Sequence, residues 1–399
     1  MNLLTAKSIK LSMPVIKPLM LYVHIPYCVH KCHYCDFNSH VRDSHDWVRY
    51  RKALLTETAA WAEQPQFSNR TVSSIFFGGG TPSLAPASLI ESVISKASEL
   101  FRFSDDIEIS LEANPGTVDQ ANFRGFRESG VNRLSIGVQS LNDVELKWLE
   151  RIHSGEQAVA ALNAGRAAGF ENINLDLMYG LPNQSLEQWF KTLDEVMRLG
   201  PEHISCYQLT VEPHTKLAAE VEKVAAQLPD DELALEFLYK TRERLAEAGY
   251  EAYEVSNFSK PGMKCRHNDG YWLYQDYIGI GAGASGKWDM GDGGVTRYSN
   301  IRKPEKYIES ALLDGRAANT DEKLSKETAE AEALWQGLRR TGGISNAWFT
   351  EHFGVDIQSC FTTELAPWLE RGQLIWEGDR LHLTGEGLPF ADSVAEELF

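Results

Sequence analysis

Six short runs rich in β-branched and aromatic residues recur along roughly the first half of the chain, and stretches with apolar residues at helical spacing separate most of them. They are LYVHIPYC from Leu21, SSIFFGGG from Ser73, EISLEANP from Glu108, NRLSIGVQS from Asn132, NINLDLMYGLP from Asn172 and HISCYQLTVEP from His203. Intervening segments such as DWVRYRKALLTETAAWAEQ carry the helical pattern. Strands that alternate with helices imply βαβ units and a parallel sheet, with each strand buried on both faces. Six units instead of eight give an open, partial α/β barrel. Its sites belong at the C-terminal ends of the strands. Polar or glycine residues gather there in order: Cys28, Gly79 and Gly80, Glu112, Gln139, Asp176 and Gln208.

The first of these ends carries the chemistry. Cys28, Cys32 and Cys35 form a C-x3-C-x2-C run that lets one loop aim three thiolates at one inorganic group. A structural zinc needs a fourth closed ligand, whereas three cysteines on a [4Fe-4S] cube leave one iron open. His30 and His33 interleave with the cysteines and offer a zinc alternative, although no second ligand pair follows at a fixed distance. A disulfide leaves one of the three unpaired, and a redox pair of Cys32 and Cys35 makes no use of Cys28.

Composition narrows the setting. At 399 residues, with 43% hydrophobic and 24% charged, the chain has room for more than one domain and reads as an ordinary soluble protein. Six cysteines without a secretory signal, and no apolar stretch near membrane-spanning length, point to the cytoplasm. A net charge of −17 opposes binding to nucleic acid or anionic lipid. Residues 1–20 carry Lys7, Lys10 and Lys17 but also Pro14 and Pro18, and read as an extension before a barrel over residues 21–250. Residues 251–319 are rich in aromatics and glycine and read as β-strands and loops over the open side of the barrel. The run YIGIGAGASG within them lacks the strand and βαβ frame of a dinucleotide fingerprint. Residues 320–399 combine helices with the hairpin LIWEGDRLHLT, turning at Gly378, and read as a winged-helix-like domain without a basic recognition helix.

With these motifs the chain resembles the HemN-like branch of the radical SAM superfamily over about residues 20–399. The resemblance implies a [4Fe-4S] cluster on Cys28, Cys32 and Cys35, whose open iron chelates S-adenosylmethionine (SAM). An electron from the reduced cluster then cleaves SAM to a 5′-deoxyadenosyl radical. It also implies SAM contacts from Tyr22, Tyr34, Gly79, Gly80 and Thr81 of GGGTPS, Glu112, Gln139, Arg151 and Asp176. Glu150 departs from the family, which usually has glycine before this arginine.

Two functions divide this branch. Oxygen-independent coproporphyrinogen III dehydrogenase resembles the chain in its motifs but carries a further cysteine where Phe37 stands, and a longer N-terminal region. HNDGYW, from His267 to Trp272, resembles instead the H-N-x-x-Y-W signature of the HemW haem chaperones. That resemblance implies haem as a third cofactor, held by His267, Asn268, Tyr271 and Trp272, with Cys265 as a further soft ligand and Lys264 and Arg266 beside the propionates. It implies haem-accepting haemoproteins as partners, a flavodoxin- or ferredoxin-type electron donor, and at most peripheral contact with membrane haemoproteins.

Overall fold

The computed structural model describes residues 17–220, 227–291 and 294–399. Lys7, Lys10 and Pro14 lie outside these residues, and the first strand already begins at Pro18, inside the expected extension. Six strands, β1 (Pro18–Ile25), β2 (Thr71–Gly79), β3 (Arg102–Ala113), β4 (Arg133–Gln139), β5 (Ile173–Tyr179) and β6 (His203–Gln208), lie parallel in chain order. They correspond to the six runs read from the sequence. Between them run α1 (Trp47–Ala62), α2 (Ala87–Leu100), α3 (Gln120–Glu128), α4 (Gly155–Ala167) and α5 (Leu186–Leu199), and α6 (Asp231–Glu247) follows β6. Most begin where a short polar side chain satisfies a free amide: Asp46, Asp119, Ser154, Ser185 and Asp230 each accept the N–H three residues on.

The strands are not buried alike on both faces. Leu134, Ile136 and Val138 of β4, Leu175 and Leu177 of β5 and Ile204 of β6 join the apolar core, which also takes in residues of the surrounding helices. The alternate residues, Arg133, Ser135, Gly137 and Gln139 on β4, Asn174 and Asp176 on β5, His203 and Ser205 on β6, face a cavity. The expectation of apolar burial on both faces is therefore corrected. A closed barrel of eight strands fills its lumen with branched side chains; here polar side chains line an open lumen.

Residues 251–324, slightly beyond the expected boundary at 319, extend the sheet at both edges. Beyond β6 lie β7 (Glu251–Ala252) and β8 (Asn257–Ser259). Beyond β1 lie β9 (Asp276–Ile280), β10 (Ser285–Asp289), β11 (Val295–Asn300) and β12 (Ala318–Leu324), in a sheet of twelve strands among the described residues. Pairing in this way satisfies edge groups that an isolated six-stranded sheet leaves bare. β9 runs parallel to β1 and takes up the first four residues of YIGIGAGASG, and an antiparallel strand follows instead of a helix. Its glycines make room for the cysteine loop. A Cβ on Gly283 would stand 2.4 Å from Asn38 Nδ2, and that amide donates to Ala282 O at 2.8 Å. HNDGYW is neither strand nor loop but a short helix, α7 (Arg266–Trp272).

A second core gathers α9 (Lys326–Leu338), α10 (Asn346–Phe353), α11 (Thr362–Glu370) and the strands β13 (Ile344–Ser345), β14 (Leu374–Glu377) and β15 (Arg380–Leu383), after α8 (Pro304–Asp314). Helix, strand, two helices separated by the single turn Ile357–Cys360, and a hairpin is the order of a winged helix. The hairpin turns at Gly378, whose φ of 58° suits a residue without Cβ. Among the described residues no helix is long and apolar enough to cross a membrane.

Candidate functional site

A cavity of about 520 Å³ occupies the barrel lumen. The residues selected from the sequence for cluster and SAM all line it, as do Cys265, His267, Asn268 and Tyr271 of those selected for haem; Lys264, Arg266 and Trp272 do not. Trp272 is half-buried to one side, under the Arg339 guanidinium at 5.0 Å.

The cysteines stand at the C-terminal end of β1. Gly80 N and Thr81 N donate to Ile25 O and Tyr27 O at 2.8 Å each, tying GGGTPS to the start of the cysteine loop. A Cβ on Gly79 would lie 2.6 Å from the His24 ring and one on Gly80 2.7 Å from Tyr27 O, so this approach requires glycine. The Thr81 hydroxyl donates to Cys28 Sγ at 3.3 Å. Burial pushes the Cys28 and Cys35 thiols up, so a bound metal would have to hold them as thiolates. His33 is buried edge-on to Trp148 and His30 meets Glu150 at 3.2 Å. Among the described residues no three His, Cys, Asp or Glu side chains converge on one ion position.

Polar groups ring the lumen below this loop. Arg151 donates from Nη2 to Gly137 O at 2.7 Å and from Nη1 to Cys32 Sγ at 3.8 Å. Its Nε is buried without a partner among the described residues, a donor suited to a ligand carboxylate. Glu150 has φ 53° and Gln139 φ 66°, left-handed conformations that side chains rarely adopt. The pairing of β4 with β5 shifts register between Gly137 and Gln139, and this bulge brings Gln139 to the lumen wall. Glu112 accepts Gly79 N at 3.1 Å, and burial, with Asp176 adding to it, pushes its carboxyl up to about 8. Asp176 is pushed up by burial and accepts from Ser135 Oγ at 3.2 Å and Asn174 Nδ2 at 2.7 Å. Tyr34 and Tyr22 complete the wall. These groups suit SAM: hydrogen-bond acceptors for ribose hydroxyls and an ammonium, and a free guanidinium N–H for a carboxylate.

α7 closes the opposite, N-terminal end. Glu108 accepts Arg266 N at 3.0 Å and His267 N at 3.2 Å, fixing the helix to β3. His267 is 1% exposed, with Nδ1 on Ser74 Oγ at 2.8 Å and Nε2 on Tyr271 Oη at 3.0 Å, and its ring lies over Phe76. Burial lowers its pKa to about 3, so it is neutral. Asn268 donates to Tyr253 Oη at 3.1 Å. Arg266 is tied up with Asp106 at 2.5 Å, and the buried Cys265 thiol, pushed up to about 12, donates to Glu108 at 3.5 Å. Sequence reasoning missed Glu108 and Arg133. The alternation of Arg133, Ser135, Gly137 and Gln139 with Leu134, Ile136 and Val138 was the available signal.

The radical SAM superfamily model matches residues 22–196 and the HemN C-terminal domain model residues 324–390. Those two matches define the class: a radical SAM protein with a HemN-type C-terminal domain. Heme chaperone HemW of Haemophilus influenzae is 36% identical over 390 residues, covering 96% of this chain and 98% of that protein. Heme chaperone HemW of Escherichia coli is 41% identical over 303 residues, 75% of this chain and 78% of that protein. The structure of coproporphyrinogen III oxidase (HemN) from Escherichia coli aligns with TM-score 0.81 and 26% identity, covering 96% of this chain and 90% of that one. The chain belongs to the HemW family.

Proposed function

We propose that this protein is a haem chaperone that carries a [4Fe-4S] cluster and SAM in its barrel and passes haem to haemoproteins. The observation that carries this reading is the single lumen lined by Cys28, Cys32 and Cys35 at one end and by His267, Asn268 and Tyr271 at the other. The HemW relatives support the haem role, and the radical SAM match supports the cluster and SAM.

Cys28, Cys32 and Cys35 would hold the cluster, which, once reduced, supplies an electron for SAM cleavage. Arg151 Nε would meet the SAM carboxylate. Gly79 and Gly80 would let the backbone approach it, while Tyr22, Tyr34, Thr81, Glu112, Gln139 and Asp176 orient the rest. His267 would ligate haem iron through Nε2 once Tyr271 gives up its hydrogen bond, a loss of about 1 kcal/mol net that iron ligation outweighs. Tyr271 and Asn268 would bound the same pocket, and Trp272 would flank it from outside the lumen. The acceptors are haemoproteins, membrane-associated ones included, and a flavodoxin- or ferredoxin-type protein is the electron donor.

A second reading, oxidative decarboxylation of coproporphyrinogen III, rests on the likeness to HemN and the full set of SAM residues. Phe37 disfavours it, standing 59% exposed on the cavity wall at the position where the resemblance gives that enzyme a further cysteine. Reconstituted protein given SAM, reductant and a flavodoxin should produce no protoporphyrinogen, yet take up haemin stoichiometrically and deliver it to an apo-haemoprotein. His267→Ala should shift the Soret band and weaken uptake without changing iron–sulfur content. Turnover of coproporphyrinogen above a cluster-free control would replace the chaperone reading with the enzyme.

A further inference from the structure

Arg133 is the first residue of β4 and is 2% exposed, yet it lines the lumen. No side chain or carbonyl among the described residues accepts a hydrogen bond from its guanidinium, and its Nε is fully buried. An isolated buried guanidinium is costly: five planar donors taken from water want acceptors in return. The acids nearby are committed elsewhere. Glu108 takes the amides of Arg266 and His267, and Asp176 takes Ser135 and Asn174. Both act on the Arg133 charge, but neither comes within 4 Å as an ion pair. Around Arg133 the other polar side chains are mutually satisfied. Asn174 Oδ1 accepts from His203 at 2.7 Å and Ser205 at 3.1 Å, and Ser74 meets His267. The acceptor for Arg133 therefore has to come from outside the described residues.

We propose that Arg133 is the carboxylate-binding residue for a second ligand that enters the lumen beside SAM, and that this ligand presents a tetrapyrrole propionate. A planar fork of N–H groups matches a carboxylate bidentately, which fixes the ligand's orientation as well as its depth. Arg133 acts electrostatically on both His267 and Cys265, so the residues of HNDGYW and the proposed propionate anchor share one end of the cavity. Lys264 and Arg266, the cations expected for the propionates, are placed less well. Arg266 is paired with Asp106 and half exposed, and Lys264 lies over the Tyr253 ring at 5.7 Å. This inference rests on the haem reading above and extends it by naming the group that is gripped and the residue that grips it.

The test compares haemin with haemin dimethyl ester, which keeps the iron and macrocycle but lacks the carboxylates. Both are titrated in the same detergent buffer into the cluster-reconstituted full chain and into Arg133→Gln and Arg133→Lys variants. The native chain should bind haemin at least tenfold more tightly than the ester. Arg133→Gln should bind the two alike, and Arg133→Lys should keep part of the preference. Iron–sulfur absorbance and melting temperature report whether each variant folds; if Arg133→Gln does not, the comparison of acid with ester on the native chain and the lysine variant still decides. Equal affinity of the native chain for haemin and its ester overturns the inference alone. Failure of the native chain to bind haemin at all overturns the haem reading and this inference with it.

Discussion

Glu150 is the residue at which this chain pays most visibly for its site. Its φ of 53° lies in the left-handed region, where a Cβ costs about 1–2 kcal/mol. Its compensation is exposed pairing with His30 at 3.2 Å and Lys216 at 3.9 Å, worth a few tenths of a kcal/mol. Glu150→Gly should therefore raise the stability of the apoprotein by about 1 kcal/mol, read as a higher midpoint in denaturant, and leave cluster content intact. An unchanged or lower midpoint would mean that the contacts with His30 and Lys216 matter more than the backbone. Glu112 gives a pH prediction. Its carboxyl is held up to about 8 in the folded apoprotein against an ordinary value of 4.5, so the folded state binds the extra proton between those values. Its contribution is then intact below about 4.5 and is lost as pH rises through about 8. Glu112→Gln should flatten that part of the stability profile; a native profile that rises across the window would show that other groups dominate.

At the scale of elements, the six parallel strands were legible because each is a compact β-rich run bounded by polar or glycine residues. The direction of their faces was legible too but was passed over. In NRLSIGVQ every second residue is non-apolar, a period of two that marks a strand with one wet face, and reading it would have singled out Arg133. α7 was not legible. A seven-residue helix containing Gly270 has little propensity of its own and is held by tertiary contacts: Glu108 at its first amides, and Met20, whose Sδ would lie 2.2 Å from a Cβ on Gly270. A further hold comes from the C-terminal domain, where Arg340 donates to both Asp269 carboxylate oxygens at 2.7 and 3.2 Å. Arg340→Ala should destabilise the protein by about 1–3 kcal/mol, since it strips a half-buried carboxylate of a bidentate partner. Hydrogen exchange should rise in α7 before it rises in β4. Uniform change across the molecule would argue that the pair is only a surface contact.

For the whole molecule, one polar lumen is built by an apolar shell. The helices and outward strand faces form the core, the sheet extensions seal its edges, and the space left inside is open to ligands. The cysteine loop crowns that space and α7 floors it, so cluster, SAM and haem chemistry share one compartment in this account. The claim on which the rest depends is that Cys28, Cys32 and Cys35 hold a cluster whose open iron faces SAM. EPR spectroscopy of the anaerobically reconstituted, dithionite-reduced protein, recorded with and without SAM, tests it most directly. The account predicts about four irons per chain and a [4Fe-4S] signal that changes on adding SAM, with both lost in Cys28→Ala. Tight zinc with no iron–sulfur signal, or a cluster spectrum indifferent to SAM, would contradict it.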